Sequence, residues 1–122
     1  MSKLIVSNTD KENALRTIAD MIVRAETAQA KFAVGTSQHS LQVNRIHALR
    51  VAAALVARDV DAYTGADFER AKAPLVSLIS KSEKAQGKLK EDSWQYQMLQ
   101  NNLTALTHAT ELLEARLLEE QA

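Results

Sequence analysis

Four polar side chains recur in this 122-residue chain at one fixed separation: Glu26, Gln29, Gln38 and Asn44 match Glu83, Gln86, Gln95 and Asn101, each pair 57 residues apart. Within each copy the acid and the first amide are three residues apart, so a helix would stack them one turn apart on a single face. Paired Glu-x-x-His units on facing helices build di-metal centres. Here the units read Glu26-x-x-Gln29 and Glu83-x-x-Gln86, and a neutral amide is a poor ligand for such metals. His39, His47 and His108 occupy non-equivalent places in the two copies, and none shares an inward helical face with a carboxylate one turn away. No metal and no cofactor is therefore expected.

Catalysis fares little better. Two carboxylates at one end of a bundle can share a proton and divide acid and base roles. An enzyme built on Glu26 and Glu83 is one alternative, but nothing in the chain supplies a nucleophile or an oxyanion donor. Cysteine is absent, which removes thiolate chemistry and disulfides together. No catalytic residue is assigned. What these residues can do is hydrogen-bond.

The helices that must hold them follow from the repeat. Sliding the chain by 57 aligns 10–60 with 67–117 without a gap, and fourteen of the 51 positions are identical, where helix-rich sequences would give about four by chance. Shared polar residues argue for duplication, because amphipathicity alone does not dictate Gln29/Gln86 or Asn44/Asn101. Ser7 with Asp10, and Thr64 with Asp67, have the pattern of a helix cap followed by an acid in the first turn. The first helix is expected from Ser7 to about Ala33, ending near Gly35. The second is capped by Thr36 or Ser37 and reaches about Ala62. The third starts after Thr64, with Pro74 predicting a kink or break inside it. The fourth runs from near Ser93 almost to the end.

Apolar residues then form a stripe on each helix. Ile18, Ile22, Ala25 and Phe32 share one face of the first helix. Leu41, Ile46, Ala48, Leu49, Ala52, Leu55 and Val56 spread over about half of the second. One hairpin cannot cover so wide a face, but two can. The expected fold is all-α: an antiparallel up-down four-helix bundle, one domain over 1–122, with hairpins 7–60 and 64–117 related by a pseudo-twofold axis.

At 100° per residue, Gln29 and Gln86 fall in the middle of the buried stripes, and Gln38 and Gln95 on inward faces. Arg45 and Asn102, which also match across the repeat, point towards the middle of the apolar arc. Glu26 and Glu83 lie at the stripe's edge, and Asn44 and Asn101 flank the opposite edge. All belong to the end carrying the two hairpin turns, so a quasi-symmetric polar network or pocket is expected there. Buried amides in bundles ordinarily satisfy one another and fix register. A structural network is accordingly weighted above a small-ligand site.

Composition sets the outer bounds. Lys+Arg equals Asp+Glu at 15 each, so no global field draws nucleic acid or an anionic membrane. No apolar run approaches the roughly 18 residues of a membrane span, and Met1–Val6 is too short for a signal peptide. A cytoplasmic protein is expected. Arg45, His47, Arg50 and Arg58 make the second helix basic, which gives the second alternative, a nucleic-acid-associated factor. Arg50, Arg58 and Trp94 are candidate partner-surface residues, with Trp94 expected to plug the turn-bearing end of the core. A protein partner, a homodimer or a small ligand all fit the leading expectation of a non-enzymatic binding or regulatory protein.

Overall fold

The computed structural model describes residues 8–121, which form four helices: α1 (Asn8–Gln29), α2 (Ser37–Ala57), α3 (Gly65–Gln86) and α4 (Trp94–Gln121). They pack as an all-α four-helix bundle, and among the described residues there is no strand. No described helix is long and apolar enough to cross a membrane.

Local chemistry sets most of the boundaries. Thr36 caps α2, its hydroxyl accepting from the His39 N–H at 3.2 Å. At the start of α3 the Asp67 carboxylate turns back and accepts from the Thr64 N–H at 2.9 Å and the Thr64 hydroxyl at 3.2 Å. Both caps fall where the sequence places them. The expected cap at Ser7 lies outside the described residues.

Two helix ends differ from expectation. Helix α1 stops at Gln29 rather than about Ala33, because Lys31 and Phe32 turn their N–H groups to the Ala28 and Gln29 carbonyls and leave the α-helical ladder. Gly35, with φ of +92°, then reverses the chain in the left-handed region, where a side chain would be strained. Helix α2 ends at Ala57 rather than about Ala62. Arg58 takes left-handed angles, and the Arg58 and Asp59 N–H groups bond back to Leu55 and Ala54, closing the last turn. The sequence offers no glycine at that point, so the stop is invisible to it. Pro74 breaks nothing: α3 continues through it.

The core repeats at the 57-residue offset. Ala14, Ile18, Ala48, Leu49, Ala52 and Val56 are buried, and so are their counterparts Ala71, Leu75, Ala105, Leu106, Ala109 and Leu113. The hairpin turns repeat bond for bond. Thr36 donates its hydroxyl to the Ala33 carbonyl at 2.8 Å, and Ser93 donates its own to the Lys90 carbonyl at 2.7 Å. The N–H groups of Lys88 and Leu89 reach Ala85 and Gln86 just as those of Lys31 and Phe32 do their equivalents.

Helix contacts are less even. Helix α2 touches all three of the others, including α4, which an idealised square bundle would place diagonally across. The Cα traces of α1 and α3 do not come within 8 Å of each other. The section is thus a rhombus with α2 and α4 on the short diagonal, which is why these two carry the most buried residues.

Candidate polar cleft between the four helices

Helix α2 carries a polar side chain into the core two residues into its second turn. Gln42 precedes Ile46 and Leu49 by one and two turns, so the stripe that buries them buries it too, leaving it 8% exposed. Its Oε1 is buried and has no donor. Arg45 follows one turn later and is half-buried. Burial pushes its guanidinium below its ordinary range, since the charged form loses water. On α4, Asn102 occupies the position matching Arg45 and is also 8% exposed.

These three side chains line one cleft of about 220 Å³. Arg24 of α1 and Ser82 of α3 complete its polar lining, so every helix contributes a polar group. Met21, Ala25, Ala28 and Leu78 form the apolar walls. The lining contains no carboxylate. Neither arginine makes an ion pair with any described residue. A desolvated cation with no counter-charge and a buried carbonyl with no donor are each costly in a finished core.

The residues singled out by the repeat are mostly elsewhere. Gln29 and Gln86 are half-buried and do not meet. Gln29 donates Nε2–H to His39 Nε2 at 3.3 Å, and Gln86 donates to the Tyr96 carbonyl at 3.4 Å and to Gln100 Oε1 at 2.8 Å. Each fastens its own hairpin, and the partners His39 and Tyr96 match across the repeat. Gln38 and Gln95, expected on inward faces, are exposed. Both precede the point where α2 and α4 enter the core, so helical phase alone does not bury them. Glu26 and Glu83 are exposed on α1 and α3, the two helices whose backbones stay apart, and they share no site. Glu26 pairs with Arg50 at 3.2 Å. Asn44 is exposed and accepts from Arg70 at 3.1 Å. Asn101 is exposed beside a separate groove between α1 and α4. Only Arg45 and Asn102 of the ten polar candidates line the cleft.

Two surface expectations also change. Trp94 is 69% exposed and plugs nothing, because it is the first residue of α4 and stands outside the packed turns. Phe32 lies beyond the end of α1 and is partly exposed with its neighbour Val34. The basic residues of α2 do not make one free face. Arg45 turns into the cleft, Arg50 binds Glu26, and His47 donates Nε2–H to Asp67 Oδ1 at 3.0 Å. Arg58 is exposed at the helix end and makes no ion pair among the described residues.

That His47–Asp67 bond makes Asp67 a junction. One carboxylate caps α3 and holds α2, and the Thr64 N–H, then the His47 and Thr64 side chains, hold it below the usual carboxylate range. Among the described residues no group of three His, Asp or Glu side chains is placed to hold a metal ion.

Sequence reasoning missed Gln42, Arg24 and Ser82. Gln42 had a signal: a glutamine at the one- and two-turn spacing before Ile46 and Leu49. Comparison of the two copies passed over it because its counterpart is Leu99. Compared with protein-family models, curated proteins and solved structures, the chain matches none.

Proposed function

We propose that this chain is a small, non-enzymatic binding protein that takes a small molecule into the cleft beside Arg45. The carrying observation is the unmatched polar set: Arg45 half-buried without a counter-charge, next to a Gln42 carbonyl without a donor. A purely structural network would have closed those groups on one another, as Gln29 and His39 do. A ligand in the cleft would meet a polar group from each helix and apolar walls between them, the usual make-up of a small-molecule site.

The finer architecture belongs to the same reading. We take the bundle as up-down, with two duplicated hairpins about a pseudo-twofold axis. Support comes from the paired turn bonds and from the cleft itself, where the late halves of α1 and α3 meet the early halves of α2 and α4. Both hairpin turns then lie at the cleft's end. The protein would act in the cytoplasm, as its cysteine-free, charge-balanced composition suggests.

A screen of small polar fragments by NMR, reading the side-chain amides of Gln42 and Asn102, tests the reading. Saturable shifts at those two amides, absent from the exposed Gln38 and Gln95, are expected. If no fragment moves either buried amide, the cleft is not a binding site.

A further inference from the structure

The two arginines lie on one side of the cleft. Arg24 and Arg45 come from α1 and α2, whereas the facing polar groups, Ser82 of α3 and Asn102 of α4, are neutral. Counterparts across the repeat show how this polarity arose. Arg45 stands opposite Asn102, so one copy supplies charge where the other supplies an amide. Ser82 occupies the place of Ala25, so one copy supplies a hydroxyl where the other supplies a methyl group. The apolar walls Met21 and Leu78 are themselves counterparts and keep their character. Of the apolar walls only Met21 and Leu78 pair in this way, and the polar groups are asymmetric.

Resting on the reading that this cleft is a ligand site, we propose that its ligand is a small organic anion. A carboxylate or phosphoryl group faces Arg24 and Arg45, and a neutral hydroxyl or amide end faces Ser82 and Asn102. Guanidinium is the side chain suited to planar, two-pronged pairing with such oxygens. With no carboxylate in the lining, the positive charge there is left for the ligand to balance. Gln42 serves in either orientation, because half a turn of its amide exchanges the unpaired carbonyl for an N–H. Size follows from volume. A space of about 220 Å³ holds about seven waters at roughly 30 Å³ each, so a molecule of metabolite size fits and a dinucleotide does not.

The experiment titrates the full chain with four probes at matched ionic strength, following the Arg45 Nε–H and the Asn102 side-chain amide by NMR. Lactate carries a carboxylate and a hydroxyl, and glycerol 3-phosphate carries a phosphoryl group and two hydroxyls. The neutral counterparts are 1,2-propanediol and glycerol. Saturable shifts with at least one anion, weaker or absent shifts with its neutral counterpart, and about tenfold or greater weakening in Arg45→Gln are expected. The anion that saturates first distinguishes carboxylate from phosphoryl recognition. Arg58→Gln, which removes an exposed charge away from the cleft, leaves the titration unchanged and controls for net charge. Neutral probes that saturate the same resonances as well as the anions do would overturn the anion assignment while leaving the cleft a site. Failure of every probe, anionic and neutral, to move the Asn102 amide overturns both. An anion titration unchanged by Arg45→Gln also overturns the assignment, provided the variant keeps the native amide spectrum.

Discussion

The half of the bundle around Phe68 and the half around Gln42 are made by the same four helices, yet the first is sealed over its aromatic ring and the second leaves polar groups unpaired. Phe68, Leu75, Leu113 and Ile18 are essentially without exposure, and the Arg116 guanidinium lies over the Phe68 ring at 5.1 Å from its centroid. That arginine covers an aromatic face from outside and keeps its charge in solvent, with Glu120 within 3.9 Å. At the other half an arginine enters the lining, and no carboxylate accompanies it. The contrast separates two uses of one residue type. Where Arg closes a core it is stacked and wet. Arg45, in the cleft lining, is partly dry and has no counter-charge among the described residues.

The largest effect expected on this contrast comes from the sealed half. Phe68→Ala would remove a fully buried ring and cost about 3–5 kcal/mol in urea unfolding. A loss under about 1 kcal/mol would mean that the sealed half is not where the stability resides. In the open half the sign reverses. Gln42→Leu removes a buried carbonyl that has no donor and puts there the residue type found at its counterpart, Leu99. We expect unfolding free energy to rise by about 1 kcal/mol and fragment binding to weaken in the same variant. A drop in stability would show that the amide is satisfied in solution and would place it with the structural groups.

The smallest effect is at the junction between α2 and α3. Asp67 is held below its ordinary carboxylate range, so its ionised form stabilises the fold. That contribution is fully present above the unfolded value near 4 and is lost as pH falls through the lower folded value. The urea midpoint of the native chain should therefore drop across this acid window. Asp67→Asn should start from a lower midpoint at neutral pH and lack that component of the acid drop. Parallel acid profiles for the two proteins would dissociate the carboxylate from stability.

Much of the fold was legible because it is written in local chemistry. Thr36, Thr64 and Asp67 are cap residues whose role follows from their type and spacing, and the buried alanines and leucines of α2 and α4 announce themselves by period. The Arg58 stop was not legible, since the left-handed turn there is imposed by closure onto Leu55 and Ala54 rather than by a residue that prefers it. The site was read through the wrong filter. Residues identical in both copies, such as Gln29 and Gln86, bond within their own hairpins at the turns. Three polar positions of the cleft, Gln42, Arg45 and Ser82, are ones where the copies differ, their counterparts being Leu99, Asn102 and Ala25. Identity between the copies points to the turns, and the proposed site lies largely where they differ.

The segment Arg58–Thr64 has a mechanical consequence. It leaves α2 through a closed left-handed turn, enters α3 through the Asp67 cap, and is braced from behind by the His47–Asp67 bond. Little slack remains in it. From Ala57 to Gln42 the helix rises roughly 22 Å, at about 1.5 Å per residue. Over that lever arm a rotation of a few degrees at the linker would displace Gln42 and Arg45 by an ångström or more. The braced linker thus fixes the placing of Gln42 and Arg45 from the far end of α2.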